Sequence, residues 1–151
     1  MKERSIDTPF GTLTLIEEEG AIVALDWRQA RRQDTSALLD EGVAQLAEYV
    51  EGRREIFDLP LRVQGSQLQR DVCDAIAAIP FGDTRTYGEI ARELGVPAQA
   101  VGQACGGNPI PIIIPCHRVM GARGLTGFSG AGGVETKVAL LRHEGAAGLL
   151  I

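Results

Sequence analysis

Cysteine is scarce in this sequence: Cys73, Cys105 and Cys116 are all there is, and none shares a CxxC spacing with another. An odd number so placed indicates neither a disulfide framework nor a cysteine-based zinc site, and it leaves at least one thiol free. Histidine is scarcer still. His117 and His143 have no cluster of carboxylates beside them in the sequence, which argues against a metal site. No apolar run approaches the roughly 18 to 20 residues of a membrane span, and the N-terminus lacks the basic, apolar, small-residue order of a secretory signal. A cytoplasmic location without membrane contact is therefore expected. The glycines fall in neither the GxGxxG nor the Walker spacing, so no nucleotide is expected as cofactor, and nothing else in the chain calls for one. Excess positive charge is missing as well: the formal net charge of −5 argues against holding nucleic acid through bulk electrostatics.

What is present has the balance of an ordinary globular protein, 151 residues with 44% hydrophobic and 23% charged side chains. That suffices for one domain, or one domain with a small companion. The net charge hides a split. Residues 1–83 carry 9 basic and 16 acidic side chains, net −7, whereas residues 84–151 carry 6 and 4, net +2. An anionic partner should meet the C-terminal half. Over residues 5–27 short β-prone runs alternate with turn signals, 12–16 after Pro9-Phe10-Gly11 and 21–27 after Glu19-Gly20, which predicts a small antiparallel sheet. Leu38, Leu39, Val43, Leu46, Ala47 and Val50 then recur at helical spacing, predicting a helix over 35–51 that Gly52 ends. Residues 53–65 have no helical period and read as a connection, which puts a boundary near residue 63. The chain thus divides into an N-terminal α/β domain with its connection, 1–63, and a second domain, 64–151.

Ser66 followed by Gln69 has the spacing of a capping box, opening a helix that runs to about Ile79 with Leu68, Val72, Cys73, Ile76 and Ile79 inward. Cys73 is therefore a small core residue. After Pro80-Phe81-Gly82, a helix around residues 86–94, a turn at Gly95-Val96-Pro97 and a second short helix over 98–104 give the helix-turn-helix pattern. That pattern serves DNA-binding domains and purely structural helix pairs alike. Residues 108–119 hold three prolines in a β-branched run, which excludes helix and central strand and predicts an extended, rigid, mostly buried chain. Glycines then recur from Gly121 to Gly133, and residues 135–144 return to a helical period through Val138, Leu141 and Arg142.

Cys116 lies on the stiff segment with His117 next to it, a candidate nucleophile because a thiolate is needed and an imidazole can take or stabilise its proton. Adjacent residues of an extended chain point to opposite sides, so a bridging water or a turn is required for the two to act together. A buried structural cysteine beside a hydrogen-bonded histidine is the competing reading.

The run Asn108-Pro109-Ile110-Pro111 leading into Pro115-Cys116-His117-Arg118-Val119 closely resembles the active-site signature of the O6-alkylguanine-DNA alkyltransferases, also called methylated-DNA–protein-cysteine methyltransferases. The resemblance extends to Gln69-Arg70-Asp71-Val72, Ile79-Pro80-Phe81-Gly82, Tyr87-Gly88-Glu89-Ile90-Ala91, Ala100-Val101-Gly102, Gly127-Phe128-Ser129-Gly130 and His143-Glu144-Gly145. It covers residues 66–145 in order, while 1–60 fits as the family's variable N-terminal domain. The fold it implies is α+β: a small N-terminal antiparallel sheet plus helix, followed by a mostly helical winged helix-turn-helix C-terminal domain carrying the active site.

The resemblance implies direct, irreversible, stoichiometric transfer of an alkyl group from O6 of guanine to Cys116, after the nucleotide is flipped from the duplex. His117 is then a water-mediated base, Glu144 orients it, Asn108 braces the turn that presents the thiol, and Tyr87 donates toward the guanine. Main-chain groups at Cys116, Val119 and Ser129 read the base, with Phe128 and Pro111 in the pocket wall. Duplex DNA containing O6-alkylguanine is the implied partner of a monomer, met through the minor groove by Thr86, Ala98, Gln99, Ala100, Gly102, Gln103 and Arg118, with Arg85 and Arg123 adding to a local basic face.

Several positions depart from the family pattern. Gln99 stands where an arginine usually fills the gap left by the flipped nucleotide, and the segment before it is about two residues shorter. Phe128 replaces a common tyrosine, and Leu68 and Cys73 replace a usual aromatic pair. Some family members hold zinc in the N-terminal domain through Cys and His, and residues 1–65 contain neither. Two other classes compete: a non-catalytic binder of alkylated DNA, which would lack the cysteine, and a thiol-dependent enzyme or regulator unrelated to DNA repair, which would turn over.

Overall fold

The computed structural model describes residues 1–121 and 133–146, and these form two compact units, residues 1–64 and 65–151. Among the described residues no helix is long and apolar enough to cross a membrane.

The first unit is a three-stranded antiparallel sheet in the order β1 (Lys2–Thr8), β2 (Gly11–Glu18), β3 (Ala21–Asp26), followed by helix α1 (Ala37–Val50). The sheet starts three residues earlier than the turn signals indicated, with Lys2 opposite Glu17. Leu13, Thr14, Leu15 and Ile16 of the central strand are all buried, so both of its faces are covered. Ser36 starts α1 by accepting from the Leu39 amide at 2.9 Å. Leu39, Leu46 and Tyr49 form its buried stripe, at the 3.6-residue period read from the sequence.

Glu3 is buried in β1 and organises the chain that follows β3. Its carboxylate accepts from Arg28 Nη2 at 3.0 Å and from the Arg31 amide, contacts that hold its pKa down at about 2. Residues 53–65 do more than connect. Ile22 donates to Pro60 O at 2.8 Å and accepts from the Arg62 amide at 3.0 Å, so this stretch lies beside β3. The buried Gln45 amide brackets the main chain of Asp58 with bonds of 3.0 and 2.9 Å.

The second unit contains α2 (Gln67–Ala77), β4 (Arg85–Thr86), α3 (Tyr87–Leu94), α4 (Ala98–Gly106), a 3-10 turn (Cys116–Arg118), β5 (Val119–Met120) and α5 (Val134–His143). Its core is built from Val72, Ile76, Ile90, Val101, Ile110, Val119, Leu140 and Leu141. Each such side chain contributes on the order of 1.5–3 kcal/mol by leaving water. Cys73 sits in this core, 1% exposed.

Only half of the expected capping box at α2 forms. Ser66 Oγ accepts from the Gln69 amide at 3.1 Å, but the Gln69 side chain turns away to donate to Ala104 O at 2.7 Å, tying α2 to α4. The reciprocal box occurs at α3, where Thr86 Oγ1 accepts from the Glu89 amide at 3.1 Å and Glu89 accepts from the Thr86 amide at 2.8 Å. β4 and β5 pair in parallel, Arg85 with Val119 and Thr86 with Met120. That short pairing fixes the start of α3 beside the residues that follow Cys116.

The helix-turn-helix bend rests on Gly95, whose backbone is left-handed at φ 69° and ψ 35°. Among the described residues a Cβ there would meet nothing within 4 Å, so it is the conformation that selects glycine. Gly95→Ala is expected to lower stability by about 1 kcal/mol, and Gly95→Asn by less, because asparagine tolerates this region. Urea denaturation of the two variants checks this; equal losses would contradict a conformational origin.

Candidate active site

The segment 108–119 departs from the extended chain that its prolines suggested. Asn108 folds it back: its Nδ2 donates to Ile114 O at 2.8 Å, and its Oδ1 accepts from the Ile110 amide at 3.0 Å. The Ile114 amide donates to Ile110 O at 2.8 Å, closing a compact loop in which Ile112 is buried with φ 72°. A β-branched residue in that region is held there by its surroundings and not by its own preference. The chain then enters the 3-10 turn at Cys116, so the turn required for Cys116 and His117 to cooperate is present. The extended geometry fails because Asn108 and the Ile110–Ile114 bond supply main-chain partners locally, where a strand would have to find them on a neighbour.

The end of α5 brings Glu144 to this turn, and its carboxylate is the hub of a buried network. Glu144 Oε2 accepts from His117 Nε2 at 2.7 Å, and Arg118 grips both oxygens, Nε to Oε1 at 2.7 Å and Nη2 to Oε2 at 3.1 Å. The remaining nitrogen, Nη1, donates to Ile79 O at 2.7 Å, and the guanidinium carbon lies 5.7 Å from the centre of the Phe81 ring. The expectation that Arg118 meets DNA is thereby corrected. Its side chain is buried, and each of its three nitrogens donates within the protein, to Glu144 or to Ile79 O.

His117 is fully buried. Burial pushes its pKa below the ordinary value, against the opposing influence of Glu144, so the ring is neutral at pH 7. With the Nε2 proton directed at the carboxylate, Nδ1 carries the lone pair, and among the described residues nothing hydrogen-bonds to it. The unfolded chain takes up this proton first, so the stability due to neutral burial is complete above the ordinary value of about 6.5 and is lost as pH falls below it.

Cys116 is 3% exposed, and its amide donates to Ile114 O at 2.8 Å. The Cys105 thiol beside it holds its pKa below the ordinary thiol value although burial opposes ionisation; Asn108 and the Lys137 ammonium act in the same direction as Cys105. Lys137 is fully buried and donates to Val119 O at 2.6 Å. Sequence reading missed it by taking the wrong phase for α5. The helix buries Lys137, Leu140 and Leu141, and Arg142 is exposed. A lysine at core spacing, three and four residues before two leucines and seven before Glu144, was the available signal.

Of the remaining residues singled out, Tyr87 is half-buried in the first turn of α3, and Pro111 and Val119 are buried. Thr86 caps α3. Ala98, Gln99 and Gln103 are exposed on α4, with Ala100 and Gly102 half-buried between them. Arg85 pairs with Glu93 at 3.2 Å. Arg123, Phe128 and Ser129 lie outside the described residues.

A helix-turn-helix unit with an ionisable cysteine beside a carboxylate-held histidine defines the class: a DNA-binding domain with a built-in thiol acceptor. Residues 67–146 match the DNA binding domain of the 6-O-methylguanine DNA methyltransferases, and residues 1–63 match that family's ribonuclease-like domain. Among similar sequences are the methylated-DNA–protein-cysteine methyltransferases of Mycolicibacterium paratuberculosis, 41% identical over 93% of this chain and 90% of the relative, and of Salmonella typhimurium, 40% identical over 95% of both. The crystal structure of Mycobacterium tuberculosis O6-methylguanine methyltransferase superposes with a TM-score of 0.84 at 40% identity, covering 95% of this chain and 92% of that one. The mycobacterial protein has also been crystallised in complex with DNA, again with a TM-score of 0.84. This chain belongs to the 6-O-methylguanine DNA methyltransferase family.

Removing the charge of Glu144 strands a buried guanidinium, so Glu144→Gln is expected to cost about 3–5 kcal/mol of stability. Arg118→Met should cost a similar amount alone, and the double variant clearly less than the two together, because neither charge is then left unpaired. Denaturant titration of the cycle measures this, and simple additivity would contradict a shared network.

Proposed function

We propose that this chain is a methylated-DNA–protein-cysteine methyltransferase that repairs O6-alkylguanine by taking the alkyl group onto its own Cys116, once per molecule. The observation that carries this reading is the placement of Cys116 on the turn that also holds His117, whose Nδ1 is left as the acceptor by the Glu144 bond.

In the proposed reaction the Cys116 proton passes through a bridging water to His117 Nδ1, and Glu144 stabilises the imidazolium that forms. The thiolate attacks the alkyl carbon. The S–C bond forms as the C–O6 bond breaks, its electron pair goes to O6, and the guanine anion is neutralised by a proton from Tyr87. The product on the protein is a thioether, which has no charge with which to re-enter the cycle. Asn108 fixes the loop that presents the sulfur. Val119 O, Ser129 and the main chain of Cys116 read the base between Phe128 and Pro111. Lys137 already occupies one side of Val119 O, and a carbonyl has a second lone pair to offer.

Residues 64–151 act as the DNA-binding alkyltransferase domain and residues 1–63 as its accompanying domain. Duplex DNA lies with its minor groove on the outer face of α4, where Ala98, Gln99, Ala100, Gly102 and Gln103 are small or neutral. Gly102 supports this reading because a helix-interior glycine costs about 1 kcal/mol relative to alanine, and a Cβ there would meet nothing within 4 Å. Internal packing therefore does not call for it, whereas close approach of a backbone does. Thr86 contributes from the start of α3, and Gln99 stands at the step from which the nucleotide leaves. The protein acts as a monomer.

Stoichiometry of transfer from a duplex carrying one labelled O6-methylguanine tests the function. One label per wild-type molecule, none on Cys116→Ser, and unchanged duplex affinity in that variant are expected. Repeated turnover, or transfer surviving in Cys116→Ser, would contradict it.

A further inference from the structure

All three cysteines of the chain lie in the second unit, and two of them meet at the acceptor. Cys105 occupies the last turn of α4, buried, and its Sγ lies 3.8 Å from the main-chain oxygen of Cys116 as a hydrogen-bond donor. The same oxygen accepts from the Val119 amide that closes the 3-10 turn. The Cys105 S–H is thus directed at the main chain of the residue that must ionise.

We propose that Cys105 is a positioning residue for alkyl acceptance, its buried S–H being the local donor that turns from the Cys116 carbonyl to the Cys116 sulfur when that sulfur ionises. This rests on the function proposed above. A thiolate is a stronger acceptor than a neutral carbonyl, the two side chains are within hydrogen-bonding reach of each other, and rotation about the Cβ–S bond redirects the S–H. Burial deprives the thiolate of water, so a protein donor is worth more here than at a surface. The two thiols also divide the work in the required sense. Contact with Cys116 and burial push the Cys105 thiol far up, so it keeps its proton while its neighbour gives one away. The Cys73 sulfur instead accepts from Gln69 Nε2 at 3.5 Å.

Two substitutions separate donor from packing. Cys105→Val fills the space without a donor, and Cys105→Ser keeps a donor. Single-turnover transfer rates against pH, on a duplex with one O6-methylguanine, are compared with the Cys116 thiolate titrated by its ultraviolet absorbance in the absence of DNA. Cys105→Val should move both profiles to higher pH by about one unit, which is a roughly tenfold slower transfer at neutral pH. Its stoichiometry should stay at one, and its rate should converge on wild type at high pH. Cys105→Ser should stay near wild type in both profiles, as should the control Cys73→Ala. An unmoved thiolate titration in Cys105→Val, or equal shifts in the Val and Ser variants, would overturn the proposal. Absence of transfer by the wild type would instead overturn the function, because the titration without DNA judges Cys105 separately.

Discussion

A carboxylate taken out of water must be neutralised or fully hydrogen-bonded, because an unpaired buried charge costs several kcal/mol. Glu144 is 5% exposed and meets that demand with a bidentate guanidinium and an imidazole. Much of the second unit follows from this. The last turn of α5 must come back to the 3-10 turn, since both of its partners, His117 and Arg118, sit there. Arg118 in turn needs an acceptor for its free end and finds one at Ile79 O, just past α2. Three elements distant in sequence are thereby fixed to one carboxylate.

The arrangement also decides the state of the histidine. A ring that gives its Nε2 proton to a carboxylate, and that burial keeps neutral, has its basic lone pair on Nδ1. Arg118 limits how far Glu144 can raise the basicity of that ring, because the carboxylate is already balanced by a permanent cation. In the reaction proposed above, a base so weakened needs a thiol that is itself made acidic. Cys116 meets that condition through Cys105, Asn108 and Lys137.

The sheet of the first unit and the helix-turn-helix were legible because each is announced by local chemistry, turn glycines and apolar periods; of the Asn108 to Val119 segment the burial was legible but the path was not, because Asn108 folds it back through short-range bonds. The grouping of Cys116, His117, Asn108 and Glu144 was legible through family resemblance. What escaped was set by partners distant in sequence. Arg118 reads as a surface cation until its distant acceptors are known. Gln69 reads as half of a capping box until Ala104 O competes for it. Lys137 is passed over until α5 is placed and its ammonium meets Val119 O. In each case a tertiary hydrogen bond outweighs a local preference.

Burial holds His117 neutral and Glu144 fixes its proton on Nε2, which leaves the lone pair on Nδ1. Nitrogen-15 NMR of the imidazole across the pH range measures tautomer and protonation together. An Nε2–H tautomer that stays neutral below the ordinary histidine value of about 6.5 is expected. An Nδ1–H tautomer, or a ring that protonates at or above that value, would contradict it.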